Sequence, residues 1–242
     1  MTLTLAPIGF VQTPFLEKVG VPRQTGLVPE AKGIIKLNPE PEFKDALRYL
    51  DTFSHIWVIF QFHQNSGEPW RKLTTTPRVG APERVGTFAS RSPHRPNGLG
   101  ISALKLDFIN FDAKGGIEIY VSGVDLLDGT PVFDIKPYVP YVDSIPEATG
   151  SFTEFEIPKY RVTFSEEVLA KLGSASHVSA NSNTKLLIAQ MLELDPRPTP
   201  QKKSYPIDDP KSEGLSFAFR VGKIDVKWEI RKQAIYVSEI TV

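Results

Sequence analysis

The segment HIWVIFQF, residues 55–62, constrains the fold of this 242-residue chain more than any other stretch. Its length and its β-branched and aromatic residues are typical of a strand. Every second residue from Ile56 to Phe62 is apolar and faces one side, but Trp57 and Ile59 make the other side apolar as well. Such a strand is buried on both faces, either at the centre of a sheet or at an interface.

Short segments of the same kind lie before and after this strand through residues 1–145. Turn residues bound them, and their spacing predicts a mostly β domain that folds as a closed barrel or a sandwich. A helix is expected in PEFKDALRYL, residues 41–50, because apolar residues recur with helical spacing from Phe43 to Leu50. The predicted strands are 8–11, 34–37, 54–62, 85–90, 101–109 and 117–124.

The composition changes after the predicted barrel, where a stretch rich in Pro, Ser and Thr begins. We expect a linker or extended arm at 146–160 and a smaller α+β domain at 161–242. In that domain Ser165 is a candidate N-cap for one helix, and a second helix is predicted over 183–193. The runs LSFAFRV, IDVKWEI and AIYVSEI alternate apolar and polar residues, which predicts an antiparallel meander at the end of the chain.

Composition excludes several classes of function. The 28 basic residues balance the 28 acidic ones, so no overall field favours nucleic acid or a membrane surface. The chain has no cysteine, and its four histidines lack the spacing of common zinc motifs, so we expect no metal. No segment has the length and apolarity of a membrane helix, so a soluble, cytoplasmic protein is the expectation.

The common cofactor motifs are also missing. The sequence contains no GxGxxG that opens a helix, no GxxxxGK[ST] and no GxSxG. Because predicted strands alternate with loops and not with helices, a Rossmann domain is not expected.

Four polar clusters instead mark the ends of predicted strands. Each one taken alone reads equally well as a turn, and the Asp-Gly pair in the last is a common turn signal. Four in one domain resemble a ring of loops at one end of a barrel, where ligand sites tend to lie. The clusters are VPRQ (21–24), HQN (63–65), TFASRSPHRPNGLGIS (87–102) and DLLDGTP (125–131).

The third cluster carries the clearest chemistry. Arg91 and Arg95 offer planar guanidinium groups suited to a carboxylate or a phosphate. The alternative is a long turn stabilised by Asn97 and its own prolines. The surrounding stretch from Arg71 to Arg95 has an excess of positive charge, which is typical of a solvated face or of an anion site.

Four blocks of this sequence resemble the TrmO family of tRNA methyltransferases, and they occur in the order of that family. The C-terminal part resembles the family more weakly, through LDPRP at 194–198 and the closing strands. The resemblance implies a single β-barrel catalytic domain that binds S-adenosylmethionine without a Rossmann fold. The four blocks are VPRQTG (21–26), FSHIWVIFQFHQ (53–64), SRSPHRPNGLGIS (90–102) and DLLDGTPVFDIKPYVPY (125–141).

The same resemblance implies a substrate and a set of site residues. The substrate would be N6-threonylcarbamoyladenosine, next to the tRNA anticodon, and the enzyme would be a homodimer. Arg95 and Asn97 are the candidate catalytic residues, while Gly98 departs from the proline that this family usually has there. The implied cofactor-binding residues are Pro22, Arg23, Gln24, His63, Gln64, Arg91, Ile101, Leu127, Asp128, Gly129 and Thr130.

We assign hypothetical roles to the two arginines of the third cluster. Arg91 would serve the methyl donor, and Arg95 would bind the threonyl carboxylate of the modified base. The residue types leave two alternatives open, a non-catalytic barrel that binds nucleotide or RNA and, less favoured, a hydrolase that uses Asp128 and His63. Candidate tRNA phosphate contacts are Arg71, Lys72, Arg78, Arg84, Arg197, Lys202 and Lys203.

Overall fold

The computed structural model describes residues 4–76, 81–154, 156–174 and 183–241. The strands in these ranges are β1 (Gly9–Gln12), β2 (Lys32–Leu37), β3 (His55–Gln61), β4 (Leu73–Thr75), β5 (Arg84–Gly86), β6 (Leu99–Asn110), β7 (Glu118–Ser122), β8 (Thr130–Pro137), β9 (Val162–Phe164), β10 (Ser216–Val221), β11 (Ile224–Arg231) and β12 (Ala234–Thr241). The α-helices are α1 (Phe43–Ala46), α2 (Pro140–Asp143), α3 (Glu166–Ser174), α4 (Thr184–Glu193) and α5 (Thr199–Ser204).

Six strands close into a barrel in the order β1, β2, β7, β6, β3, β8. Every neighbouring pair is antiparallel, and β8 closes the barrel by pairing with both β1 and β3. Alternate side chains fill the interior, among them Ile56 and Val58 of β3 and Leu104 of β6, all fully buried. The prediction of a mostly β fold is confirmed, and of its two forms the structure is the closed barrel.

Strand β3 contains most of the segment HIWVIFQF and lies between β6 and β8. Its inward residues are buried, whereas Trp57 and Ile59 on the outer face are only half-buried. Trp57 packs against Tyr138, with 5.6 Å between the ring centroids. The expected central position is therefore correct, but the outer face is only partly covered within one chain.

Two expectations for local structure were wrong, and one strand of the barrel was not predicted. The strand predicted over 85–90 ends at Gly86, and residues Thr87–Ala89 form a 3-10 turn. The helix predicted over 41–50 is a single turn, because Tyr49 adopts a left-handed conformation with φ +68°. Strand β8 was missed altogether.

The C-terminal unit is a four-stranded sheet in the order β10, β11, β12, β9, covered by α3 and α4. The predicted meander is present as β10 to β12, and Ile224, Val226, Trp228 and Ile230 of β11 are buried. The Ser165 hydroxyl accepts a hydrogen bond from the backbone N–H of Val168, as expected for an N-cap. The second predicted helix is α4.

The C-terminal unit packs against the segment that joins β1 to β2. The backbone N–H of Gly222 donates to the carbonyl of Pro14 (2.6 Å), and that of Glu30 donates to Oε1 of Gln190 on α4 (2.9 Å). Between the two units, the described part of 146–160 contains a short 3-10 turn at Ser151–Thr153. The division into 1–145, 146–160 and 161–242 stays a prediction.

No helix in the described ranges is both long and apolar enough to span a bilayer.

Candidate active site

One end of the barrel collects all four polar clusters. Because neighbouring strands are antiparallel, the connections β1–β2, β3–β6 and β7–β8 all leave from the same end. We call this end the mouth and its three connections the first mouth loop (residues 13–31), the second mouth loop (62–98) and the third mouth loop (123–129). The predicted ring of loops at one end of a barrel is thus present in the topology.

The first mouth loop is tied to the third by backbone hydrogen bonds. The N–H of Gly26 donates to the carbonyl of Gly123 (2.9 Å), and the N–H of Asp128 donates to the carbonyl of Phe15 (2.8 Å). In return, Oδ1 of Asp128 accepts from the N–H of Thr13 (2.9 Å). The Asp128 carboxylate therefore has a fixed position at the mouth, and one of its oxygens is already engaged by the chain itself.

Asp128, Thr130 and His63 form one group. Gly129 lies between the first two with φ +72°, a conformation that favours glycine. The Thr130 hydroxyl donates to the carbonyl of Leu127 (2.7 Å) and lies 3.5 Å from Nδ1 of His63. Burial lowers the pKa of His63, and the nearby Asp128 carboxylate only partly opposes that shift. The imidazole is therefore neutral at pH 7.

Gln24 and Arg91 form a second group across the first and second mouth loops. Nη1 of Arg91 donates to Oε1 of Gln24 at 2.6 Å, although 67 residues separate them in the sequence. The amide nitrogen of Gln24 donates to the carbonyl of Arg23 (2.6 Å). Pro22 is buried, which anchors this part of the loop.

Arg23 has its charge partner outside the mouth. Burial lowers the pKa of Arg23, and the carboxylate of Asp195 in the C-terminal unit opposes this shift. Arg23 therefore interacts electrostatically with the C-terminal unit, whereas its neighbour Gln24 bonds to the second mouth loop.

Asp125 also lies at the mouth, although it is not among the residues predicted from the sequence. Its Oδ1 accepts from the hydroxyl of Ser102 (2.8 Å), and its carboxylate also accepts from the backbone N–H of Thr25. Burial raises the pKa of Asp125, while these hydrogen bonds and the charge of Arg91 lower it. Its place directly after β7, in the same polar cluster as Asp128, was the signal that could have identified it.

Arg95 is held by its own loop. Its Nη1 donates to the carbonyls of Thr87 (3.2 Å) and Ser90 (2.8 Å), and its guanidinium carbon lies 5.9 Å from the centroid of the Phe88 ring. Asn97 is exposed in the turn that the N–H of Gly98 closes onto the carbonyl of Arg95 (3.3 Å). Both candidate catalytic residues thus belong to a turn that is stabilised internally, and their catalytic roles remain predictions.

Other predicted cofactor residues are placed less favourably. Ile101 lies on the outer face of β6 with 54% of its surface exposed, whereas its neighbour Ser102 points into the barrel. The side chain of Gln64 is exposed, and its backbone carbonyl accepts from Nζ of Lys18 (3.3 Å). Leu127 packs against the core. The structure therefore does not bring Ile101 to the same side of the barrel wall as Ser102 and Asp125.

Arg197 cannot contact a phosphate from its observed position, so that prediction was wrong. It is only 3% exposed, and its guanidinium donates to both carboxylate oxygens of Asp195 at 2.8 Å. Lys202 is half-buried, and its Nζ donates to the carbonyl of Leu194 (3.4 Å). Arg78 lies outside the described residues. Arg71, Lys72, Arg84 and Lys203 are exposed.

A search of the described ranges for three or more clustered His, Cys, Asp or Glu side chains finds no group that could hold a metal ion.

Comparison with known proteins identifies the family. The family model for the tRNA-methyltransferase O N-terminal domain matches residues 10–144, and the model for the TrmO C-terminal domain matches 157–242. A Pseudomonas aeruginosa protein described as the putative S-adenosylmethionine-dependent methyltransferase RcsF is 38% identical over 229 residues, which is 94% of this chain and 93% of the relative.

Two further comparisons agree. The tRNA (adenine(37)-N6)-methyltransferase of Escherichia coli K12 is 35% identical over 224 residues, 92% of this chain and 91% of that protein. The crystal structure of TrmO from Pseudomonas aeruginosa matches with a TM-score of 0.73 and 32% identity, and the match covers 100% of this chain and 99% of that one. The resemblance seen in the four sequence blocks is confirmed: this chain belongs to the TrmO family of S-adenosylmethionine-dependent tRNA methyltransferases.

Proposed function

We propose that this chain transfers a methyl group from S-adenosylmethionine to N6 of N6-threonylcarbamoyladenosine, next to the anticodon of a tRNA. The observation that carries this proposal is the mixed charge of the mouth. Asp125 and Asp128 place carboxylates at the mouth, and Arg91 and Arg95 place guanidinium groups there, in loops that hydrogen-bond to one another. A site of this kind suits a cationic donor together with an anionic modified base.

The groups at the mouth fit S-adenosylmethionine chemically. When bound, this molecule supplies a methyl group on a positively charged sulfur. Its two cationic centres would be stabilised by the carboxylates of Asp125 and Asp128, and its own carboxylate by Arg91. The amide of Gln24 and the imidazole of His63 are suited to the adenine and ribose edges. These roles agree with the cofactor positions that the family resemblance implies at Gln24, His63, Arg91 and Asp128. Arg23, Gln64, Ile101 and Leu127 are placed less favourably and are assigned no role.

The two carboxylates differ in what they can contribute. Asp128 is oriented by the N–H of Thr13, so its charge is fixed without rearrangement. Ionisation of Asp125 costs free energy, because burial disfavours its charged form and raises its pKa. A cation beside Asp125 would offset that cost, so this carboxylate is suited to binding a positive ligand and to excluding a neutral one.

Arg95 is the group we assign to the threonyl carboxylate. Nη1 is used by the carbonyls of Thr87 and Ser90, which leaves the remaining guanidinium donors of a pre-oriented side chain for the substrate. The threonyl carboxylate is the anion that distinguishes the modified base from plain adenosine. Asn97, exposed in the same turn, would add a neutral donor and acceptor beside it.

The transfer also requires loss of the N6 proton. The carbamoyl group on N6 makes this proton more acidic than that of an ordinary adenine amine, so no strong base is required. His63 is neutral at pH 7, because burial lowers its pKa, and a neutral imidazole is able to accept a proton. The chain's main contribution is therefore to align the two substrates and to keep water out.

The proposal extends to the assembly and its partner. Exposed basic residues of the second mouth loop, Arg71, Lys72 and Arg84, are suited to tRNA phosphates. A homodimer is proposed because large apolar side chains remain exposed at Tyr141, Val142 and Ile145, just after the barrel. A tRNA substrate would place the enzyme in the cytoplasm.

Two measurements test the proposal. Mass spectrometry of tRNA nucleosides from cells with and without the protein should show N6-methyl-N6-threonylcarbamoyladenosine only when it is present. A methyl group found on plain adenosine in its place would overturn the substrate assignment. A thermal-shift scan should show stabilisation by S-adenosylmethionine but not by ATP, and equal stabilisation by both would favour the alternative of a nucleotide-binding barrel.

A further inference from the structure

Phe88 is a large aromatic residue that the proposed chemistry does not use. Its side chain is 76% exposed, although its neighbour Thr87 is buried. Single exposed apolar residues are common on protein surfaces, so the exposure of Phe88 gains meaning only from what surrounds the ring. Phe88 lies in the second mouth loop, three residues before Arg91.

The backbone beneath Phe88 is anchored firmly. The N–H of Thr87 donates to the carbonyl of Lys72 (3.1 Å), and the Thr87 hydroxyl donates to the carbonyl of Arg71. The Ser90 hydroxyl donates to the carbonyl of Thr87 (2.9 Å). The 3-10 turn Thr87–Ala89 is therefore held in place from both sides, and it presents the ring of Phe88 from a fixed position.

The setting of the ring is positively charged. The guanidinium of Arg95 lies 5.9 Å from the ring centroid, and Nη1 of Arg95 is bonded to the carbonyls of the same turn. Arg71 and Lys72 lie directly beneath the turn through the bonds to Thr87, and Arg84 lies in the adjoining strand β5. The acidic residues of this region are fewer, and one of them, Glu68, contacts His94 at 3.3 Å.

We propose that Phe88 is a stacking platform for a nucleobase of the RNA that enters the mouth. The inference deepens the proposed function and rests on it for the nature of the ligand. A flat, exposed ring among cations matches the two parts of a single-stranded nucleotide, its base and its phosphate. A protein partner fits less well, because the cores of protein interfaces are depleted in charge and in lysine.

The position of the ring specifies which base it stacks on. Phe88 and Arg95 are neighbours in the second mouth loop, because Nη1 of Arg95 bonds to the carbonyls of Thr87 and Ser90 on either side of Phe88. Arg95 is assigned to the threonyl group of the target base. The base on Phe88 is therefore a neighbour of the target in the anticodon loop. Stacking would hold the strand in an opened form and would leave the target free to enter the mouth.

The test measures RNA binding directly, so that it does not depend on methylation. The probe is a fluorescein-labelled RNA hairpin with the sequence of a tRNA anticodon stem-loop, and its dissociation constant is read by fluorescence anisotropy. F88A should weaken binding about five- to hundredfold, the range expected for loss of one stacked base. F88W should bind at least as tightly as the parent chain, because it keeps an aromatic face.

Two controls make the result specific. F88L keeps an apolar side chain without an aromatic face, so its RNA affinity should resemble that of F88A. Tyr49→Ala removes a ring that is 72% exposed at the opposite end of the barrel, and it should leave RNA affinity unchanged. Sedimentation and affinity for S-adenosylmethionine should be the same in all variants.

Two results for RNA binding would overturn the stacking role: F88L binding RNA as tightly as the parent chain, or F88A leaving RNA affinity unchanged. A change in the sedimenting mass of F88A would also overturn it, because it would assign the ring to a protein interface. If RNA binding depends on the ring but no methylated nucleoside is found, the stacking role stands and the proposed reaction falls. If methylation proceeds while F88A binds RNA normally, the reaction stands and the stacking role falls.

Discussion

Arg197 of the C-terminal unit and Arg95 of the second mouth loop are both held by hydrogen bonds to nearby residues, but only Arg197 is paired with a carboxylate. Arg197 is buried against a carboxylate, with both oxygens of Asp195 at 2.8 Å, and its guanidinium lies 4.6 Å from the Phe217 ring centroid. Arg95 is held by backbone carbonyls, and in the described ranges no carboxylate makes direct contact with it. The first charge is neutralised inside the fold and the second is not.

This difference separates a structural arginine from one that is suited to a ligand. A buried cation that already has a carboxylate and aromatic faces offers nothing to a substrate. A pre-oriented cation at a mouth, without a carboxylate, retains the capacity to bind an anion. The sequence shows the charge of Arg197 but not its partner Asp195, which is why Arg197 was predicted among the tRNA contacts.

The largest effect is expected from Arg197→Ala. The substitution leaves the carboxylate of Asp195 buried without its partner, so stability should fall by about 3–5 kcal/mol. Urea unfolding monitored by circular dichroism measures this. Under conditions where the variant is folded, its affinity for S-adenosylmethionine should equal that of the parent chain. A loss below about 1 kcal/mol would show that Arg197 is not a structural centre of the C-terminal unit.

The next largest effect is expected from Arg95→Ala. Because Arg95 is assigned to the threonyl carboxylate, kcat/KM for threonylcarbamoylated tRNA should fall roughly 10- to 100-fold. The dissociation constant for S-adenosylmethionine, measured by calorimetry, should not change. Arg48→Ala is a matched control, since Arg48 is exposed at the opposite end of the barrel and pairs with Asp45 at 2.8 Å. Equal loss of methylation and cofactor affinity in Arg95→Ala would contradict the assignment.

A third test uses Asp125→Asn, which keeps an acceptor for the Ser102 hydroxyl but removes the charge. Because burial raises the pKa of Asp125 in the folded state, its contribution to stability is present at low pH and is lost as pH rises through that pKa. The variant should therefore melt higher than the parent chain at pH 7, by about 2–4 °C per kcal/mol gained. Binding of S-adenosylmethionine should weaken by about tenfold or more.

The pH dependence provides the check on Asp125. As the pH falls through the raised pKa and the parent carboxyl takes up its proton, the difference in melting temperature between the two proteins should shrink. A difference in melting temperature that grows as the pH falls would show that the pKa of Asp125 is lowered in the folded protein, not raised. If the variant is stabilised but still binds S-adenosylmethionine with the affinity of the parent chain, Asp125 does not take part in cofactor binding.

The elements that could be predicted from the sequence are those in which buried apolar residues recur at regular spacing. Strand β11 alternates inward and outward residues along its whole length. Strand β10 does the same and β12 does so as far as Ser238, so the meander was predicted. Strand β8 was missed because Pro131, Asp134 and Pro137 are typical of turns. The barrel accepts these prolines near the two ends of the strand, where it pairs with β1 and β3. Closure of the barrel thus overrides local propensity.

The candidate site was predictable as a set of loops but not as a set of contacts. Polar clusters at strand ends are visible in the sequence, and the topology brings them to one mouth. The bond from Arg91 to Gln24 joins residues far apart in the chain, and no periodicity indicates it. The outward direction of Ile101 follows from the register of β6 with β3, which the sequence does not specify.

The smallest effect is expected from Gly98→Ala, at the position where the sequence resemblance implies a proline. Gly98 has φ +60°, and a Cβ placed there would have no neighbour within 4 Å, so Gly98→Ala tests backbone conformation alone. We expect a loss of about 1 kcal/mol in urea unfolding. Gly173→Ala, in α3 and equally free of neighbours, should have the opposite sign because alanine favours a helix.

Gly98→Pro should be more damaging than Gly98→Ala. Proline fixes φ near −65° and has no N–H, while the N–H of Gly98 donates to the carbonyl of Arg95 and its carbonyl accepts from the N–H of Phe62 (2.8 Å). The turn that carries Arg95 and Asn97 would have to change shape, so methylation should fall together with stability. If the proline variant is fully active, this turn adopts the proline-compatible shape at little cost, and the position of Arg95 does not depend on the left-handed glycine.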